Sequence, residues 1–302
     1  MSEQAMIDQV RSFNRAVTQR VGALDDAFVS RRRPLGQSRV LWEIGPDGCD
    51  VRQLRARLEL DSGYLSRLLR SLEEAGLAVV EQSTGDGRVR IVRLTAAGAA
   101  ERDELDRRSD AAASSILRPL SDGQRTRLVA AMAEVVRLLT ASAADVRTAD
   151  PAEPAARGCM AAYFAELAER FDGGFDPSLS IAAGDAELTP PAGLLLLATL
   201  HGEPAGIGAL KLHDGEPAEI KRMWVARAAR GLGLGRRLLS DLEGCAAERG
   251  ARVVRLETNG ALHEAISLYR SAGYREVPAF NDEAYAHHWF EKELGREQRE
   301  DR

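Results

Sequence analysis

Apolar residues in the first half of the chain recur at helical spacing. Ile7, Val10, Val17, Val21, Leu24 and Phe28 fall at three-, four- and seven-residue steps, which predicts a long amphipathic helix over residues 4–30. A short helix around residues 38–44 follows, then a helix over 51–58 and another opening at Asp61 or Ser62, either of which can serve as its N-cap. In this last helix Leu65, Leu68, Leu69 and Leu72 share one face. Gly63, Arg67, Arg70 and Ser71 turn away from it, with Tyr64 and Ser66 on the flanks. Two helices joined by a short turn raise the possibility of a helix-turn-helix. Gly76 then ends the helix, and residues 77–81 read as a strand. A hairpin loop over 83–87 returns through the alternating run 88–94, making a wing with its arginines, Arg88 and Arg90 among them, on one face. A charged helix runs to about residue 117, breaks at 119–123 and resumes over 124–143.

The second half alternates between periods of two and 3.6. A strand over 145–150 leads into a helix through Tyr163 and Phe171. Residues 194–200 and 205–212 form an antiparallel hairpin around 201–204, and 218–225 is the next strand. A helix over 234–248, a buried-type strand over 252–258, a helix over 262–272 and a closing strand over 288–294 complete the series. Between the strand ending at Val225 and the helix after it lies Arg230-Gly231-Leu232-Gly233-Leu234-Gly235-Arg236. The glycines let backbone N–H groups at a helix N-terminus approach an anion, and Arg230 adds positive charge. Such a turn suits a pyrophosphate.

Length, composition and charge add bounds. A chain of 302 residues is expected to form two domains of about 150 residues each, and 44% hydrophobic with 29% charged residues is ordinary for a soluble globular protein. No apolar run approaches the roughly 20 residues of a membrane span, and the first residues have no signal-peptide pattern, so a cytoplasmic protein without a membrane partner is expected. Cys49, Cys159 and Cys245 are odd in number and widely spaced, which fits buried or incidental thiols rather than disulfides or zinc. Residues 1–150 carry 23 arginines and no lysine against 22 acidic residues; residues 151–302 carry 18 basic against 24 acidic. Near-neutral charge in the first half leaves nucleic-acid binding open where arginines cluster locally.

The stretch 51–98, with Asp86-x-Arg88 in the wing and Leu94-Thr95-x-x-Gly98 opening the next helix, resembles the winged helix-turn-helix of the MarR family. The resemblance implies that Ser62, Tyr64, Ser66, Arg67 and Arg70 face the major groove of a double-stranded DNA operator. Arg88 and Arg90 of the wing would reach a minor groove or phosphate. It further implies a homodimer built through the first and last helices of the N-terminal domain.

Arg230-x-x-Gly233-x-Gly235 resembles the acyl-CoA signature of the GNAT N-acetyltransferases, and residues 265–274, containing Tyr269, resemble the second motif of that family. The implied cofactor is acetyl-CoA as acyl donor. It would be bound by Met223, Trp224, Val225, Arg230, Gly231, Leu232, Gly233, Leu234, Gly235, Arg236, Asn259 and Tyr269. Tyr269 would protonate the departing thiolate, and Glu219 matches the position where some members place a general base. Glu219 reads equally well as a strand carboxylate paired with Lys221 or Arg222. Backbone N–H groups near Met223–Val225 would hold the oxyanion. His287 and His288 hint at metal, but neighbours on a strand point to opposite faces and no other ligands cluster near, so no metal is expected.

The expected fold class is therefore α+β in two domains. A mainly α, MarR-like winged helix-turn-helix spans 1–143, an α/β GNAT acyltransferase domain with a mixed central sheet spans 144–295, and a charged tail spans 296–302. The expected function is a transcriptional regulator that is also an acetyltransferase, moving acetyl to a small-molecule amine by direct attack on the thioester. Two alternatives stand beside it: a regulator whose second domain senses acetyl-CoA or a ligand with little turnover, and an acetyltransferase whose winged helix only dimerises or binds a partner.

Overall fold

The computed structural model describes residues 1–20, 33–82, 89–181, 183–213 and 217–295. The chain divides into two compact units, Met1–Ala133 and Glu134–Arg302.

The first unit contains α1 (Glu3–Arg20), α2 (Leu35–Ile44), β1 (Cys49–Asp50), α3 (Val51–Leu58), α4 (Ser62–Glu74), β2 (Ala78–Gln82), β3 (Arg90–Leu94) and α5 (Ala96–Leu117). A further helix, α6 (Asp122–Ser142), contains the dividing point. Helices α3, α4 and α5 each start on a polar side chain, whereas α2 starts on Pro34. Asp50 accepts from the Arg52 amide, Asp61 from the Tyr64 amide at 2.8 Å, and Thr95 from the Gly98 amide at 3.1 Å. Between α3 and α4 the chain turns at Glu59, whose φ of 52° is left-handed. The four leucines of α4 are buried, as their period predicts, in one cluster with Val40, Leu41, Ile44, Leu54, Leu77, Val92 and Leu105. Complete burial of such a side chain stabilises the fold by about 1.5–3 kcal/mol. At Gly98 an added Cβ would collide with the Leu77 carbonyl, so glycine lets the start of α5 lie directly against the chain entering β2.

A three-stranded antiparallel sheet, ordered β1-β3-β2, forms the wing. It corrects one expectation. Arg90 shares the Val92 side of β3, whereas Arg93, three residues on, lies on the opposite side and donates to the Asp47 carbonyl at 2.6 Å. Arg88 and the loop 83–87 lie outside the described residues, as do residues 21–30 of the expected first helix and the tail 296–302. No residue of α1 is buried, and Ile7, Val10, Phe13 and Val17 are exposed along it.

The second unit is built on a seven-stranded sheet with the order β4-β5-β6-β7-β8-β10-β9. Its strands are β4 (Ala144–Ala149), β5 (Gly193–Leu200), β6 (Glu203–Lys211), β7 (Ala218–Val225), β8 (Val253–Thr258), β9 (Arg275–Val277) and β10 (His288–Glu293). Helix α7 (Pro154–Arg170) follows β4, while α8 (Leu234–Glu248) and α9 (His263–Ser271) flank β8 in sequence. Alternation along β5 sends Leu194, Leu196 and Ala198 into the cluster with α8 and α9, and Leu195 and Leu197 into the one with α7. The β5–β6 hairpin closes on His201 and Gly202, both at positive φ, a pair suited to a two-residue turn. Among the described strands, β7 and β8 are the one parallel pair, connected through α8.

Their pairing is brief: Ala218 with Val254 and Glu219 with Arg255. Three residues further along, β7 bulges. Arg222 and Met223 together oppose Gly208, and Arg222 takes a left-handed φ of 58°, which costs a residue with a Cβ roughly 1–2 kcal/mol. There β7 turns off β8, and a cleft opens at the carboxyl ends of the two strands. The chain's three lysines are all ion-paired in this unit: Lys211 with Glu187, Lys221 with Glu257 and Glu219, and Lys292 with Glu243. Cys49, Cys159 and Cys245 are free thiols, buried or half-buried.

Candidate functional site

A cavity of about 400 Å³ lies at the end of β7, walled by α7, the turn into α8 and α9. Its floor is the turn that enters α8. Gly231 and Gly233 adopt φ of 79° and 81°, with open space where a side chain would stand. Gly233 is the N-cap of α8, and no side chain caps the first turn. The amides of Leu234, Gly235 and Arg236 therefore begin a helix without the partner that such donors require, beside a cavity large enough for an extended anion. This donor set fits a pyrophosphate. Met223, Trp224, Val225, Arg230, Gly231, Gly233, Leu234, Gly235, Arg236 and Tyr269 all line the cavity. Two of the expected residues do not: Leu232 lies in a smaller recess with Ala144 and Leu200, and Asn259 lines a neighbouring pocket.

Arg230 does not stand free in the cleft. Its guanidinium donates to both oxygens of Glu166, at 2.5 and 2.7 Å, and to the Val225 carbonyl at 3.0 Å. Glu166 is buried in α7 and also accepts from Trp224 Nε1 at 2.9 Å and from Arg170 at 3.3 Å. Burial alone would raise its carboxyl; the bonds from Arg230 and Trp224 outweigh that and hold it below the ordinary range. Sequence reasoning missed Glu166. The available signal was a carboxylate on the same helix face as Tyr163 and Arg170, three residues back and four ahead.

A second pocket of about 90 Å³ adjoins the first, and Tyr163, Leu167, Met223, Ala265 and Tyr269 line both. Tyr269, only 5% exposed, sits at this junction. Burial pushes its phenol far above the usual value, so the hydroxyl keeps its proton at neutral pH. The Tyr163 phenol is pushed up to about 12 by burial, with the Arg222 charge opposing the rise. Further lining comes from Phe171, Phe175 and Tyr285, from Lys221 and Arg222, and from Glu257, Asn259 and Glu283. Asn259 is fixed by donating to the Tyr285 carbonyl at 2.7 Å and accepting from the Ala261 amide.

Glu219 is not among these lining residues. It is buried in β7, accepts from Arg255 at 2.8 Å, and lies 3.5 Å from Lys221. Burial would raise its carboxyl, but Arg255 and Lys221 hold it low. The strand-carboxylate reading describes its surroundings, and the carboxylates that face the pocket are Glu257 and Glu283. His287 accepts from the Gly260 amide while His288 pairs with Glu276, so the two rings have separate partners. Among the described residues no group of His, Cys, Asp or Glu could hold a metal ion.

In the first unit, Ser62, Tyr64, Ser66, Arg67 and Arg70 are all exposed on α4, and Arg90 is exposed on β3. Arg67 lies over the Tyr64 ring at 5.7 Å. The Tyr64 hydroxyl reaches back to Gly36, where an added Cβ would stand 2.9 Å from it.

Comparison with known proteins separates the two units. Residues 160–274 match the acetyltransferase (GNAT) family, and residues 32–89 match the MarR family. An IAA acetyltransferase of Azospirillum brasilense is 34% identical over 117 residues, covering 38% of this chain and 76% of that protein. An acyl-CoA N-acyltransferase structure from Klebsiella pneumoniae is 29% identical with a TM-score of 0.42, covering 50% of this chain and 98% of the other. A mutant of E. coli MarR complexed with operator DNA is 21% identical with a TM-score of 0.38, covering 45% of this chain and 99% of the other.

Proposed function

This chain belongs to the GNAT acetyltransferase family and carries a MarR-family region, and from that premise we propose that it is an acetyl-CoA-dependent N-acetyltransferase joined to an operator-binding winged helix. The observation that carries the reading is the uncapped start of α8, opening on a 400 Å³ cavity that Tyr269 also lines. Acetyl-CoA supplies an activated carbonyl and a thiolate leaving group. The amides of Leu234, Gly235 and Arg236 hold its pyrophosphate, with the dipole of α8 behind them. Backbone N–H groups from Met223 to Val225, where β7 leaves its neighbour, face the developing oxyanion. Tyr269 keeps a proton for the departing sulfur, and a pocket carboxylate, Glu257 or Glu283, takes one from the amine.

In the same reading the exposed face of α4 enters the major groove of operator DNA, and Arg90 approaches the backbone. The exposed apolar stripe of α1, Ile7, Val10, Phe13 and Val17, supports a homodimer through the N-terminal unit, which would match a two-fold operator. Both activities belong to the cytoplasm. Among the described residues no helix is long and apolar enough to cross a membrane.

Calorimetric titration with acetyl-CoA, paired with thiol release on a set of primary amines, tests the enzyme reading. Gly235→Glu is the informative variant. Gly235 has no positive φ, and its added Cβ makes ordinary contact with Leu268 at 3.5 Å, so the change adds a carboxylate at the anion site without backbone strain. Affinity for acetyl-CoA is expected to fall at least ~10-fold. Tyr269→Phe should keep that affinity and lose ~100-fold in kcat. Absence of binding to the wild type would overturn the enzyme and sensor readings together; binding without turnover of any amine would favour the sensor.

A further inference from the structure

The pocket beside Tyr269 holds two charges that the fold leaves uncompensated. Arg222 lines it, and among the described residues no carboxylate lies within ion-pair distance of its guanidinium; its contact is the face of Phe164, 4.7 Å away. It sits at the β7 bulge, where the left-handed backbone turns it out of the ordinary alternation of the strand. Glu283 lines the same pocket. It accepts from Ser180 Oγ at 2.9 Å and the Ile181 amide at 2.7 Å, which fix it in place, and it has no cationic partner among the described residues. Glu257, by contrast, is already neutralised by Lys221. Arg222 and Glu283 thus line one pocket with opposite charges and form no ion pair with each other. Phe171, Phe175 and Tyr285 supply an apolar wall, with Phe175 and Tyr285 centroids 4.8 Å apart.

An unpaired guanidinium and an unpaired carboxylate lining one small apolar-walled pocket are complementary to a molecule that carries an ammonium and a carboxylate on the same carbon. We infer that the acceptor is an α-amino acid bound as its zwitterion, its carboxylate on Arg222, its ammonium toward Glu283, and an apolar side chain against Phe171, Phe175 and Tyr285. The inference rests on the acetyltransferase reading and narrows it. Two protons leave the nitrogen. One passes from the ammonium to Glu283, freeing the lone pair. The N–C bond to the acetyl carbon then forms as the C–S bond breaks, Tyr269 protonates the sulfur, and the second amine proton replaces the one that Tyr269 gave. The products are an N-acetyl amino acid, the CoA thiol and one proton released through Glu283.

The test uses the full chain with acetyl-CoA and follows thiol release on L-leucine, L-methionine and L-phenylalanine. Their amides, the corresponding decarboxylated amines and spermidine serve as comparisons. The amino acids are expected to exceed their amides and decarboxylated amines ~100-fold in kcat/KM. The ratio should fall to about one in Arg222→Asn, a residue that tolerates left-handed backbone, and recover in part in Arg222→Lys. Acetyl-CoA titration of each variant shows that it has folded. Equal or better turnover of decarboxylated amines or spermidine would overturn the zwitterion while sparing the acetyltransferase reading. Acetyl-CoA binding with no amine turned over would also overturn it and leave a sensor. Loss of acetyl-CoA binding in the wild type would remove both.

Discussion

Glu219 shows how the surroundings of one side chain decide its role. On β7 it shares a sheet face with Lys221, and the parallel register sets it against Arg255, so its charge is used in the sheet. Because its carboxyl is held below the ordinary value of 4.5, its contribution to stability is complete above that pH. It is lost as the pH falls through the depressed folded value. Wild-type melting temperature should therefore decline below about pH 4.5, while Glu219→Gln should be flatter across that window. The variant should also be less stable at neutral pH by about 3 kcal/mol, since Arg255 and Lys221 lose a buried partner. Melting curves from pH 3 to 7 check both. At this scale the sequence was most legible where a residue acts through its own backbone. Gly231, Gly233 and the start of α8 stand out in one short run, and Tyr269 lies in a recognisable helix. Glu166, Arg222, Glu257 and Glu283 come from four separate segments and meet only in the folded unit, so no local pattern marks them as neighbours.

Among elements, those with several periods of pattern were readable almost to the residue. Helix α3, β7 and α8 occupy the spans that their apolar spacing predicts, and Asp61 is the cap of α4. Strands β1 and β9, of two and three residues, are too short for any period to show and exist because a longer neighbour pairs with them. The wing arginines divided between faces because Arg90 and Arg93 differ by three positions, an odd step in a period of two. The meeting of α5 with the chain entering β2 makes a sharp element-level prediction. In an unconstrained helix Gly→Ala stabilises by about 0.5–1 kcal/mol. At Gly98 the added methyl meets the Leu77 carbonyl, so Gly98→Ala should instead cost about 1–3 kcal/mol. Urea unfolding of the full chain, followed by a probe in the first unit, gives the sign.

For the whole molecule, two units of different composition share one chain, and the uneven charge along the sequence is the plainest trace of that. Expected boundaries near 143 and the observed dividing point at Ala133–Glu134 differ because α6 runs through both without a break in pattern. The basic residues carry a separate consequence. All but three are arginine, and the three lysines are buried or part-buried in ion pairs, with side-chain exposures of 10%, 8% and 24% for Lys211, Lys221 and Lys292. A guanidinium stays protonated in water and is no nucleophile toward a thioester. Each of the three ammonium groups is engaged by a carboxylate and largely covered by the fold. On the proposed reading, an acetyl thioester bound here would meet almost no accessible side-chain amine on the protein's own surface. After prolonged incubation with excess acetyl-CoA, peptide mass spectrometry should find Lys211, Lys221 and Lys292 unmodified: the chain is armoured against self-acylation by its choice of cation.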